Sequence, residues 1–198
     1  MAEMLRILHY INAFFGGVGG EEEPHTPMRL QEGVIGPGRL LEQVLADQGW
    51  VIATLVCGDG YFAEHEAEVV EQVGAALQRY HPDVFLAGPA FRSGRYGLAC
   101  GRLCLEAERL GIPAVTGMHV ENPGSDLYRP EHLYIVATQA TAAGMRPALA
   151  RMAALALKRG RGQPLGSAAE EGFLPRAVRR TIATGTPAAV RAVDMALK

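Results

Sequence analysis

Residues 84–118, VFLAGPAFRSGRYGLACGRLCLEAERLGIPAVTGM, contain a complete strand–helix–strand unit. The run 84–88 is short and continuously apolar, the pattern of a strand covered on both faces. A helical pattern follows at about 94–110. Gly111-Ile112-Pro113 stops it and opens a second apolar run at 114–118. A crossover helix between two buried strands is the unit from which parallel sheets are built.

The same alternation extends in both directions. Further strand candidates lie at 5–11, 51–57 and 133–137, and helical patterns at about 38–48, 64–80 and 142–159. In the 64–80 segment Val69, Val70, Val73, Ala76, Leu77 and Tyr80 form one apolar stripe, opposite Glu64, Glu66, Glu68 and Glu71. The expected fold is a three-layer, doubly wound α/β domain of the flavodoxin/Rossmann-like kind. Its mostly parallel sheet has about five strands and spans roughly 1–160. Residues 161–198 read as a basic extension with short helices near 175–180 and 186–197, leading toward a second domain.

Composition narrows the function classes. The 198 residues are 48% hydrophobic and 20% charged, which is globular rather than disordered. No apolar run nears the ~18–20 residues of a membrane span, and no signal-peptide pattern opens the chain. Three cysteines cannot all pair internally, so a reducing, cytoplasmic setting without membrane contact is expected. The formal charge of −2 divides into −9 over residues 1–144 and +7 over 145–198. The basic segment carries no interleaved aromatics for base stacking, so no nucleic-acid partner is expected. Only two lysines, Lys158 and Lys198, occur, and neither lies beside an expected pocket, which argues against a lysine Schiff base.

Ligands of open parallel sheets bind beyond the carboxyl ends of the strands, which selects the loops 12–22, 57–62, 88–97 and 117–124. The first, with Gly19, Gly20, Glu21 and Glu22, lacks the glycine spacing of a dinucleotide loop and the Gly-Lys-Ser/Thr of a P-loop. It is either a solvated loop or one that recognises an amine or a basic partner. The Gly33-to-Gly38 stretch is either a turn or an anion-binding helix entry. Asp59 and Tyr61 follow Cys57, whose thiol is either structural or reactive. Arg92 and Arg95 sit where a strand meets a helix N-terminus, a place suited to a carboxylate or phosphate, and Arg95 and Tyr96 are the pocket candidates there. Cys100 and Cys104, four apart on one helix face, read as packing residues and not as a redox pair or metal site. His119 and Glu121 offer acid–base groups, and Asn122-Pro123-Gly124 is turn chemistry. From the residues alone, the site takes a carboxylate or amino-acid-sized ligand, with the reaction undetermined. No metal site is expected.

In this order the loops resemble the selenoprotein B subunit of the glycine, sarcosine and betaine reductases, in its N-terminal portion. The resemblance is carried by His9-Tyr10-Ile11-Asn12 through Gly16-Gly17-Val18-Gly19-Gly20-Glu21-Glu22 and by Glu32-Gly33-Val34-Ile35-Gly36-Pro37-Gly38. It continues through Cys57-Gly58-Asp59 with Tyr61-Phe62, and through Ala87-Gly88-Pro89-Ala90-Phe91 with Gly94-Arg95-Tyr96-Gly97. Glu121-Asn122-Pro123-Gly124 and Glu170-Glu171-Gly172-Phe173-Leu174-Pro175-Arg176 complete it.

The resemblance implies a cytoplasmic, multi-subunit oxidoreductase that cleaves the C–N bond of glycine or an N-methylated glycine. In that family a pyruvoyl-containing partner subunit captures the substrate amine. A selenocysteine then displaces nitrogen from the α-carbon, and the carboxymethyl group passes to the small selenoprotein A. A further component releases acetyl phosphate, and thioredoxin supplies electrons. The family's selenocysteine lies in a C-terminal half, and no selenocysteine occurs here. The resemblance therefore assigns this chain no catalytic residue and no cofactor of its own, with the selenocysteine in a downstream region. The isolated chain is expected to bind substrate or partners, as part of an oligomer, without completing the reduction. The candidate substrate-binding residues are Gly19, Gly20, Glu21, Glu22, Asp59, Tyr61, Arg95, Tyr96, His119, Glu121 and Asn122. A stand-alone domain that binds a small carboxylate or amino acid without turnover is the alternative.

Overall fold

The computed structural model describes residues 3–17 and 24–176, together with 190, 193 and 195–197. In chain order the elements are β1 (Leu5–Asn12), α1 (Ala13–Gly16), β2 (Arg29–Glu32), α2 (Gly38–Leu45), β3 (Gly49–Cys57), α3 (Asp59–Glu64) and α4 (Glu66–Tyr80). There follow β4 (Val84–Phe91), α5 (Gly94–Arg109), β5 (Ala114–Met118), α6 (Pro123–Tyr128), β6 (Tyr134–Ala137), α7 (Met145–Gly160) and α8 (Ala168–Glu171). Single 3-10 turns precede β3 at Ala46–Gln48 and α7 at Ala142–Gly144.

The apolar runs form the sheet for the reason their composition implies. Along β1, Leu8 and Tyr10 pack on the α4/α5 face, whereas Leu5 and Ile7 pack on the α2/α7 face. In β4, Phe85 and Ala87 face one layer and Val84 and Leu86 the other. With both faces covered, these strands are mainly apolar. Burying a side chain such as Leu86 stabilises by about 1.5–3 kcal/mol.

The sheet has six strands in the order β2-β3-β1-β4-β5-β6. Five are parallel, as the sequence implies, and β2 is an antiparallel sixth paired to β3. The chain moves outward from β1 to β3 on one side, then to β4, β5 and β6 on the other. The switch point therefore lies between β1 and β4. The helix expected at 64–80 is α4, and a second departure is the short helix α3, which fills the stretch after Cys57 read as a loop and is separated from α4 at His65. The helices expected near 175–180 and 186–197 fall largely outside the described residues.

The segment after α7 returns to the sheet edge. Ser167 and Glu170 open α8 with a reciprocal capping box. Lys158 Nζ reaches Glu171 at 2.8 Å. The Ala137 N–H donates to the Gly172 carbonyl at 3.1 Å and the Leu174 N–H to Ile135 at 2.7 Å, so residues 172–174 lie against β6. The Tyr134 ring has two guanidinium groups over it, Arg159 at 4.2 Å and Arg176 at 3.9 Å from its centroid.

Candidate functional site

A cavity of about 430 Å³ opens at the carboxyl edge of the sheet, over the switch point. Its walls come from the ends of β1 (Asn12–Phe15), β3 (Gly58, Asp59) and β4 (Ala90–Ser93, with Arg95), and from Ala140–Ala142 beyond β6. All of these lie at strand-to-helix transitions, where the chain leaves the buried sheet and backbone N–H groups are free of strand pairing, and Pro24, in the turn before β2, completes the lining.

Asn12 ends β1 and caps α1, its Oδ1 accepting from the Phe15 N–H at 3.1 Å. Its Nδ2 donates to Asp59 Oδ2 at 3.2 Å. The other Asp59 oxygen, Oδ1, is buried without a hydrogen-bond partner among the described residues. Burial pushes the Asp59 carboxyl above its ordinary range, opposed by the Asn12 hydrogen bond and the Arg95 charge. Asp59 is the cavity's single carboxylate among the described residues, facing two arginines.

The two arginines differ. Arg92 is paired with Glu121 at 2.6 Å, both largely exposed. Arg95, in the first turn of α5, is exposed and has no ion pair within 4.0 Å among the described residues. Ser93 and Thr141, the N-caps of α5 and of the turn leading into α7, make no side-chain cap bond. Two helix starts and a free guanidinium therefore bring positive charge to the β4–β6 side of the cavity. The rest of the wall is largely apolar, with Phe14, Phe15 and Phe91 beside Ala13, Pro24 and Ala90. Phe15 packs edge-on to Phe14 at 5.3 Å and lies 6.3 Å from Phe91 and 6.1 Å from Tyr96.

Of the residues singled out from the sequence, the structure brings Asp59 and Arg95 into this cavity. Tyr61 lies outside its walls, stacked on His65 at 4.3 Å and donating to Glu68 at 3.1 Å. Tyr96 is fully buried behind the wall. His119 and Glu121 sit beyond the rim, the Glu121 N–H donating to His119 Nδ1 at 3.2 Å. Asn122 is buried and structural: its Nδ2 donates to the carbonyls of Phe91 at 2.9 Å and Ser93 at 3.0 Å. It thereby holds the β4 loop that carries the cavity's arginines. Gly19, Gly20, Glu21 and Glu22 lie outside the described residues.

Sequence reasoning missed Asn12, Ser93 and the 140–142 wall. Asn12 carried a signal, since a polar residue that ends an apolar strand just before a helix is a cap. Ala140-Thr141-Ala142 carries none.

All three cysteines are free and buried. Burial, then the nearby carboxylates Asp59 and Glu68, pushes the Cys57 thiol up to about 12. Burial likewise raises Cys100 and Cys104. None has the lowered pKa and exposure of a nucleophilic thiol. Among the described residues no cluster of three His, Cys, Asp or Glu side chains is placed to hold a metal. No described helix is long and apolar enough to cross a membrane.

Residues 4–198 match the family model for glycine/sarcosine/betaine reductase selenoprotein B. The chain belongs to this family. It is 44% identical over 191 residues to the glycine reductase complex component B subunit gamma of Carboxydothermus hydrogenoformans, covering 96% of this chain and 44% of that protein. It is 41% identical over 192 residues to the sarcosine reductase complex component B subunit beta of Peptoclostridium acidaminophilum, covering 96% and 44%. It is 39% identical over 198 residues to the betaine reductase complex component B subunit beta of the same organism, covering 98% and 45%. The chain thus spans less than half the length of these selenoprotein B relatives. No solved structure matches it.

Proposed function

We propose that this chain supplies the substrate pocket of a reductase that cleaves the C–N bond of glycine or an N-methylated glycine. The observation that carries the reading is the cavity over the β1/β4 switch point, lined both by Asp59 and by Arg95, which has no ion pair among the described residues. Asp59 follows β3 and Arg95 follows β4, two strand positions apart in the sheet, or roughly 10 Å. That span accommodates a small zwitterion with a hydrogen bond at each end. The carboxylate is received by Arg95, with Ser93 and the start of α5, and the ammonium by Asp59.

The buried, weakly acidic thiols support placing the reducing nucleophile elsewhere. We assign it to a selenocysteine outside these residues, which supplies the displacement at the α-carbon. A pyruvoyl-containing subunit, the small selenoprotein A and an acetyl-phosphate-forming component complete the proposed complex in the cytoplasm, with electrons from thioredoxin. This chain's own part is to bind and orient the substrate and to exclude water around the α-carbon.

Calorimetric titration of the 198-residue chain with glycine, sarcosine and betaine, against acetate as a carboxylate control, tests the reading. Saturable binding of an amine over acetate is expected. Arg95→Ala should weaken it by about 1.5–3 kcal/mol. Unchanged affinity in a folded variant removes Arg95 from the site.

A further inference from the structure

We infer that Glu121, from outside the pocket, restricts it to ligands with a single carboxylate by keeping Arg92 neutralised and leaving Arg95 as the guanidinium open to an anion. The inference rests on the substrate-pocket reading above and adds its charge selectivity.

Arg92 and Arg95 both line the cavity, and Glu121 does not. Arg92 Nη2 lies 2.6 Å from Glu121 Oε2, whereas Arg95 has no ion pair among the described residues. The Glu121 N–H donates to His119 Nδ1 at 3.2 Å, so that nitrogen carries no proton and the imidazole is neutral. Among the described residues Arg92 is therefore the charged partner of the Glu121 carboxylate.

An exposed ion pair is ordinarily loose and contributes little. This one stands on two loops tied at a single atom. The Phe91 carbonyl accepts from the His119 N–H at 2.9 Å and from Asn122 Nδ2 at 2.9 Å, which fastens the residue before Arg92 to both ends of the turn that carries Glu121. The Arg92 N–H donates to the Ala140 carbonyl at 3.3 Å, and Ser125 Oγ donates to the Val120 carbonyl at 2.8 Å. Phe91 has a φ of 52°, a left-handed backbone that a bulky residue adopts only where its surroundings impose it. That turn sets the direction in which Arg92 leaves the strand. The backbones of Arg92 and Glu121 are thus held at a fixed separation.

The consequence is electrostatic. A ligand's first carboxylate meets Arg95, whose charge is free. A second carboxylate meets Arg92 already neutralised, with the Glu121 carboxylate beside it, and repulsion offsets attraction.

The test is titration of the full chain at pH 8 with glycine, acetate and malonate, in the wild type and in Glu121→Gln. That substitution keeps a hydrogen-bond acceptor for Arg92 and removes the charge. The wild type should bind malonate no more than about twofold tighter than acetate, despite the second carboxylate. Glu121→Gln should raise the malonate-to-acetate affinity ratio by about fivefold, and adding Arg92→Gln should return it to the wild-type value. A purely structural role for Glu121 would move the two affinities together or not at all. A ratio unchanged in Glu121→Gln therefore overturns the inference and leaves the pocket reading standing. So does a wild type that prefers malonate beyond the stated margin, and this comparison decides alone if the variant fails to fold. No saturable binding of any of the three ligands overturns both readings.

Discussion

His9 donates through Nε2 to the Gly88 carbonyl at 2.8 Å, from a fully buried position in the central strand. A carbonyl can only accept, so the neutral ring carries its proton on Nε2. Burial lowers the pKa of His9 from 6.5 to about 4, the hydrogen bond to Gly88 opposing the shift. Below pH 6.5 the unfolded chain takes up a proton that the folded chain refuses. The contribution is therefore complete above pH 6.5 and is lost as the pH falls toward 4, about 3 kcal/mol in all. Urea unfolding at neutral and acid pH should show the wild type losing more stability than His9→Gln, which has no such titration.

Asn122 holds the cavity's β4 wall rather than a ligand. Asn122→Ala removes the donors to the Phe91 and Ser93 carbonyls and the acceptor for the Gly124 N–H. The expected cost is about 2 kcal/mol, a melting point lower by roughly 4–8 °C. A Cβ at Gly97 would overlap the Asn122 amide, so Gly97→Ala should destabilise in the same direction. Thermal unfolding of the two variants checks both.

Thiol reactivity gives a third expectation. Cys57, Cys100 and Cys104 are buried, and each thiol is raised in pKa. A disulfide reagent at pH 8 should label no cysteine in the folded chain within minutes and all three in concentrated guanidinium chloride. Fast labelling of one thiol in the native state would show that its pocket opens.

The Tyr134 ring binds the 172–176 segment to the sheet through Arg176, which also donates to the His132 carbonyl at 2.8 Å. Tyr134→Ala removes the stacking surface for both guanidinium groups and the edge contact with Phe173 at 5.2 Å. Amide hydrogen exchange should accelerate at Ala137 and Leu174, whose N–H groups join the segment to β6, with little change at Leu86 in the central sheet.

The five parallel strands were legible because each is buried on both faces and so is mainly apolar, with single polar residues such as His9, Thr54 and Thr116 too few to break the pattern. β2 was not: Arg29-Leu30-Gln31-Glu32 is exposed except for part of Leu30, so neither an apolar run nor an alternation marks it. Its pairing with β3 is a tertiary fact. The short helix α3 was hidden for a different reason: it opens on Asp59-Gly60 just after a strand, a pair that reads as a loop. At the site, the rule of strand carboxyl ends located Asp59 and Arg95. It could not tell a residue that lines the opening from one that braces it, and so it grouped Asn122 and Tyr96 with them. Asn122-Pro123 is also a helix-cap signature; in the fold the cap takes the amide's Oδ1, and the long-range bonds to Phe91 and Ser93 take its Nδ2.

The strip 172–174 lying along β6 has a consequence for assembly. A bare sheet edge is a template on which another chain can extend the ladder, whatever its sequence. Here one margin is already occupied by the chain's own backbone. The opposite margin is a four-residue strand bearing Arg29 and Glu32, too short and too charged to invite a foreign strand. Recognition between this chain and any neighbour is thereby moved from main chain to side chains, where mating surfaces can tell one subunit from another.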